Sequence, residues 1–181
     1  MRIISGKYKG RSFVPPGNLP VRPTTDFAKT GLFNLLQSRI EIHNCICLDL
    51  FSGTGSIALE LASRGCKSVT CVDRDTGCVK FIQSTAQKLM DVSIKPIRSD
   101  VFKYLTSCKS KFDLIFADPP FDATYRDELH QTVFEKELLN TNGVLVVEHP
   151  SRESMAHLHS FEFERKYGNV AFSFFIKFEK E

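Results

Sequence analysis

A chain of 181 residues, 42% apolar and 25% charged with a net charge of +3, suits one soluble domain that can bury a core without staples. No apolar run approaches the roughly 20 residues of a membrane span, and the opening MRIISGKYKG lacks the apolar stretch of a secretory signal, so a cytoplasmic location is expected. Six cysteines, Cys45, Cys47, Cys66, Cys71, Cys78 and Cys108, show no CxxC spacing and lie in or beside apolar runs, which predicts buried free thiols rather than a disulfide scaffold. His43, His130, His149, His157 and His159 form no spaced ligand set, and no metal is expected.

Charge is distributed unevenly. Residues 1–40 hold seven basic residues (Arg2, Lys7, Lys9, Arg11, Arg22, Lys29, Arg39) against the single acid Asp26, a net +6, while the rest of the chain holds 17 basic and 20 acidic residues, a net −3. A basic arm on a near-neutral domain has the footprint of a polyanion-binding surface; a merely solvated arm has the same composition. Residues 1–40 are read as a basic extension and first helix packed on a main domain of residues 41–181.

Taken in chain order, RIISGKYKGRSFVPP resembles a short glycine-turned β segment. PTTDFAKTGLFNLLQ predicts a helix with Thr24 or Thr25 as N-cap and a buried stripe of Ala28, Leu32, Leu35 and Leu36. From residue 45 onward, apolar runs at 45–51, 68–73, 93–100, 112–118 and 143–149 read as strands buried on both faces. They alternate with helices at SIALELASR, closed by Gly65, and at about 75–90, 101–107 and 124–137. The tail, FEFERKY and VAFSFFIKF around Gly168-Asn169, predicts an antiparallel hairpin at the sheet edge. The fold class expected is α/β: a doubly wound, mostly parallel sheet with a C-terminal hairpin and a small N-terminal β/helix extension.

Ligands of such sheets bind outside the carboxyl ends of the strands, which here carry Asp49, Asp73, Asp100 and Asp118. The loop DLFSGTGSIA (49–58) nearly satisfies the dinucleotide fingerprint, with Gly53 and Gly55 in place and Asp73 near the distance of a ribose-binding acid. A pyrophosphate, however, favours cations, and no Lys or Arg occurs between Cys45 and Arg64. S-adenosylmethionine, which has no phosphate and carries a sulfonium and an ammonium, matches the acids better. Asp73 can take its ribose hydroxyls, and Asp100 with the Val101 N–H its adenine edge. Each acid singly is also a common helix N-cap; the set of four carries the reading.

Asp118-Pro119-Pro120-Phe121 ends the fourth predicted strand. The prolines stiffen the loop and aim the Pro119 carbonyl. The Asp118 carboxylate and that carbonyl form two acceptors for the hydrogens of a planar exocyclic amine, turning its lone pair toward a methyl donor. Phe121 offers a stacking face to an extruded base. An amino-methyltransferase is therefore expected, with a nucleobase or a protein glutamine as acceptor; a non-catalytic RNA-binding module is the alternative that the basic arm allows.

Five motifs together, RIISGKYKGR, VRPTTDFAKTGLFNLL, LDLFSGTGSIALELASRG, FDLIFADPPF and the closing KYG…SFF, resemble the bacterial 16S rRNA (guanine(966)-N(2))-methyltransferases of the RsmD type over nearly the whole chain. The resemblance implies a Rossmann-like, S-adenosylmethionine-dependent enzyme acting on N2 of one guanine of small-subunit 16S rRNA within an assembly state, with no obligate protein partner and no membrane. By matching motif it implies that Asp118, Pro119 and Phe121 are catalytic and that Asp49, Gly53, Gly55, Asp73 and Asp100 contact the cofactor. Arg22, Thr24 and Thr25 would stand at the mouth of that pocket. Arg2, Lys7, Lys9 and Arg11 are the expected phosphate contacts. Where the family often reads DRVRETLFN, this chain reads DFAKTGLFN (26–34), so Phe27 and Thr30 replace an Arg and a Glu and Lys29 is the one charge left there for RNA.

Overall fold

Runs of Val, Ile, Leu and Phe too apolar to face water on either side become the middle of a sheet with helices on both faces. The computed structural model describes residues 1–19, 24–120 and 123–178. In chain order the elements are α1 (Asp26–Gln37), β1 (Ile46–Leu50), α2 (Ser56–Ser63), β2 (Ser68–Asp73), α3 (Thr76–Leu89), β3 (Ile94–Arg98), α4 (Val101–Ser107), β4 (Phe112–Ala117), α5 (Ala123–Glu135), β5 (Leu139–Pro150), β6 (Phe161–Tyr167) and β7 (Val170–Ile176). The sheet order is β3-β2-β1-β4-β5-β7-β6. β1 through β5 run parallel, and β7 joins β5 antiparallel with β6 outermost, as the tail pattern predicts. Winding reverses between β1 and β4, and that switch point opens a crevice above the strand ends.

Alternate residues of the central strands feed two cores. Leu114, Phe116, Val144, Val146, Phe172 and Phe174 face α1, α2 and the N-terminal segment. Ile115, Ala117, Leu145 and Val147 pack with Val101, Leu105, Leu129 and Val133 of α4 and α5. Truncating a ring such as Phe116 to alanine would cost about 3–5 kcal/mol through lost burial and the cavity left behind. β5 begins earlier than the 143–149 run predicts. Leu139 pairs with Phe112, the register then shifts, and Asn142 takes a left-handed φ of 59° before regular pairing resumes at Val144. All six cysteines are free, four of them buried.

The N-terminal segment is fastened to α2. Met1 and Phe13, and Ile3 with Arg11 and Gly10, exchange backbone hydrogen bonds around one antiparallel bridge, Arg2 to Ser12. The buried Glu60 carboxylate accepts from the Ile4 and Ser5 N–H groups at 2.7 and 3.0 Å and from Arg64 Nε at 2.9 Å. Gly6 adopts φ +81° with its Cα so close to the Ser63 carbonyl that a Cβ would fall 1.9 Å from that oxygen.

One expectation for this region fails. Lys29 does not reach RNA: its side chain is only 1% exposed, and its ammonium donates to the Arg2 carbonyl at 2.6 Å and to Ser56 Oγ at 3.1 Å. Burial lowers its pKa, against which nearby Glu60 and Asp26 act. It ties α1, α2 and the N-terminal segment together.

Candidate active site

β1 delivers Asp49 to the crevice with its carboxylate 2% exposed and accepting the Ala58 N–H at 3.2 Å from the first turn of α2. Burial pushes its pKa up to about 8, the neighbouring Asp118 and Asp73 charges add to the rise, and the Ala58 N–H opposes it. Between β1 and α2 the backbone folds tightly over this acid. Phe51 is held at φ 57°, sparsely populated for an aromatic residue, and such strain concentrates at binding sites. Gly53 and Gly55 follow at φ 52° and 73°. The Gly53 N–H donates to Asp73 Oδ2 at 2.8 Å while the Asp75 N–H donates to Oδ1 at 2.8 Å, so the Asp73 carboxylate is held across the loop with lone pairs still free for hydroxyl donors.

The crevice is a cavity of about 1380 Å³, above the roughly 300–1,000 Å³ of a single small-molecule site. It can take a cofactor and a second occupant. On its second half stand Asp118 and Glu148. The register Ala117 to Val147 places the next residue of each strand side by side. Glu148 is 6% exposed and accepts from Thr24 Oγ1 at 3.4 Å. Asp118 is half-buried at the wall, with its backbone N–H directed to the Leu50 carbonyl at 3.4 Å. Desolvation raises the pKa of both carboxyls, and at Glu148 the charge of Asp118 adds to it.

Aromatic rings line the two ends. Tyr125 of α5 sits between Phe51 and Phe102, with ring centroids 6.2 and 5.0 Å away. At the opposite rim Phe27, 70% exposed, meets Tyr167 edge-on at 5.7 Å. Gly31 makes room for that tyrosine, since a Cβ there would lie 2.2 Å from its ring.

The expected site residues divide accordingly. Asp49, Gly53, Asp73, Asp100, Val101, Thr24, Thr25, Asp118 and Pro119 all line the cavity. Asp100 also caps α4 through the Lys103 N–H at 3.0 Å, and Thr25 caps α1 through the Ala28 N–H at 3.2 Å. Among the described residues the wall passes from Gly53 and Thr54 to Ser56, and the missing Cβ of Gly55 faces Ile82 of α3, 2.8 Å from where it would stand. Its left-handed backbone starts α2. Arg22 and Phe121 lie outside the described residues. Arg2, Lys7, Lys9 and Arg11 sit on the N-terminal segment, away from the cavity wall, with Arg2 paired to Asp26 at 3.2 Å and Lys7 to Asp91 at 3.0 Å. Glu148, Phe51, Tyr125 and Tyr167 were not singled out from sequence. Only Glu148 had a signal there, an acid ending an apolar strand as Asp118 does.

The donor set suits a nucleoside that carries positive charge and no phosphate. Asp49 is buried with no cation paired to it among the described residues, the Asp73 carboxylate is held by two backbone N–H groups with lone pairs left for hydroxyl donors, and Val101 opens a helix at the wall. A family model described as "Conserved hypothetical protein 95" matches residues 1–176. The ribosomal RNA small subunit methyltransferase D of Escherichia coli strain K12 is 31% identical over 148 residues, 82% of this chain and 71% of its own. The chain belongs to this methyltransferase family. The enzyme of the same name from Buchnera aphidicola (subsp. Baizongia pistaciae) is 30% identical over 82% of the chain and 75% of its own length. The solved structure of yhhF from Escherichia coli superposes with a TM-score of 0.88 at 26% identity, covering 99% of both chains.

Proposed function

We propose that the protein transfers a methyl group from S-adenosylmethionine to the exocyclic N2 of a guanine in small-subunit 16S rRNA, with the RNA presented in an assembly state of the subunit. The observation that carries the reading is that one cavity brings together two sets of groups: Asp49 and Asp73, which have no ion-paired cation among the described residues although Arg74 also lines the wall, and the Asp118-Pro119 acceptor pair. S-adenosylmethionine supplies a methyl carbon on a sulfonium, so that the N–CH3 bond forms as the S–CH3 bond breaks.

This chain's residues position and deprotonate. Asp118 and the Pro119 carbonyl accept the two N2 hydrogens, which turns the amine lone pair out of conjugation and toward the methyl carbon. The extra proton of the methylated amine leaves to the Asp118 carboxylate or to water. Asp49 meets the positive charge of the cofactor, Asp73 its ribose hydroxyls, and Asp100 with the Val101 N–H its adenine. Phe121 stacks on the base. Lys9 and Arg11, which make no ion pair among the described residues, contact phosphate first. Arg2 can join them, because an exposed ion pair such as Arg2–Asp26 is worth only about 0–1 kcal/mol, whereas Lys7 is held by the buried carboxylate of Asp91.

Labelled methyl transfer to small-subunit RNA tests the chemistry. Asp118→Ala is expected to reduce transfer by about 10²-fold or more while S-adenosylmethionine binding, followed by calorimetry, persists. Transfer at the wild-type rate in that variant would remove Asp118 from the mechanism.

A further inference from the structure

Glu148 is absent from the chemistry above, yet it is the most buried acid on the substrate side of the cavity. It belongs to the same face of the sheet as Asp118. Phe116 and Val146 are register partners directed into the core beneath α1 and α2, and Asp118 and Glu148 lie two residues further along each strand, on that side. Adjacent strands run about 4.8 Å apart, so two carboxylates stand next to each other at the cavity wall. Two like charges at that spacing are unfavourable unless a ligand brings a donor to each. Thr24 Oγ1 already occupies Glu148 Oε2 at 3.4 Å, which steadies the side chain and leaves its other oxygen for a ligand.

We infer that Glu148 determines base specificity: its carboxylate accepts the N1–H of the target guanine while Asp118 and the Pro119 carbonyl hold N2. The inference rests on the guanine-N2 reading and deepens it. Guanine presents two neighbouring N–H donors, at N1 and N2, to two neighbouring carboxylates. Adenine presents its N6 amine beside a bare N1 lone pair, which would point at the Glu148 oxygen and leave a buried acceptor facing an acceptor. A glutamine amide offers no second donor at that place. Sites built to hydrogen-bond a substrate N–H reject analogues that lack it by far more than apolar pockets reject a missing methylene. Thr24, in turn, is a positioning residue acting through Glu148.

The test compares RNA substrates carrying guanine or 2-aminopurine at the target position; 2-aminopurine keeps the 2-amine and loses the N1–H. For the wild type, kcat/KM is expected to favour guanine by about 10²-fold or more. In Glu148→Gln, whose amide can turn its N–H toward a bare N1, and in Glu148→Ala, that ratio is expected to fall at least tenfold with S-adenosylmethionine binding retained. An unchanged ratio in both variants, with N2-methylguanosine still formed by the wild type, overturns this inference alone. Absence of N2-methylguanosine from the wild-type reaction overturns the functional reading and this inference together.

Discussion

Buried charge is handled in opposite ways beneath the N-terminal segment and at the cavity. Beneath the N-terminal segment each one is matched: Glu60 receives two backbone N–H groups and Arg64, and Lys29 gives its protons to a carbonyl and a hydroxyl. At the cavity, Asp49 accepts a backbone amide and Glu148 a hydroxyl, Asp118 lines the same wall, and none of the three has a paired cation among the described residues. Matched charges hold a structure in one arrangement. Unmatched like charges are kept where something positive or proton-donating is to bind.

Removing the acid that does the chemistry should have the largest effect. Asp118→Ala is expected to lower kcat on RNA by about 10²–10⁴-fold, the range for lost positioning and proton transfer, while the midpoint of thermal unfolding stays the same or rises as a like charge is removed. A fall in stability with activity intact would place Asp118 among the structural charges instead.

Glu60→Ala makes the converse case. It strands the Ile4 and Ser5 N–H groups and leaves Arg64 buried without its carboxylate, at a cost of about 3–5 kcal/mol. Denaturant unfolding should register that loss, whereas kcat per folded molecule should change little.

The strand ends and the alternation of apolar runs were legible in the sequence because both depend on neighbours along the chain. Asp49, Asp73 and Asp118 declare themselves by following such runs. Glu148 ends one too, but its significance depends on β4 and β5 lying side by side in register, a long-range fact. Lys29 misled for a related reason: a lysine in an amphipathic helix is ordinarily solvated, and its acceptors, the Arg2 carbonyl and Ser56, come from elements distant in sequence. Gly55 satisfies a ligand-binding fingerprint while serving the packing of Ile82. The aromatic cluster of Phe51, Tyr125 and, behind them, Phe102 likewise assembles from three separate segments.

A pH titration of stability sharpens the contrast at moderate magnitude. Asp49 has a folded-state pKa of about 8 against an ordinary 3.8, so the folded protein keeps a proton that the unfolded chain releases. Its contribution to stability is complete below the unfolded value and is lost as pH rises through the folded one. The cavity acids are therefore expected to make ligand-free protein lose thermal stability as pH rises between about 5 and 8, against the opposite slope of His130 and His149, whose pKa values burial lowers. Asp49→Asn should make that decline shallower, without abolishing it, because Asp118 and Glu148 shift in the same direction. The same logic makes cofactor binding release protons near neutral pH, visible as a dependence of the calorimetric heat on buffer ionisation. A pH dependence of stability that Asp49→Asn leaves unchanged would contradict the assignment of unmatched acids.

The smallest effects belong to the exposed basic residues. Lys9→Ala and Arg11→Ala should each reduce the salt dependence of RNA binding by about one unit of slope in log K against log salt, with base preference unaltered. Fluorescence titration at several salt concentrations reads this directly, and an unchanged slope in the double variant would move the RNA path off the N-terminal segment.

The measurement closest to the central claim is identification of the modified nucleoside. Small-subunit rRNA, in assembly particles incubated with methyl-labelled S-adenosylmethionine and the wild-type protein, is digested and analysed by mass spectrometry. Label in N2-methylguanosine, greatly reduced when Asp118→Ala replaces the wild type, is the predicted result; label in N6-methyladenosine, or in protein and not RNA, would contradict the account.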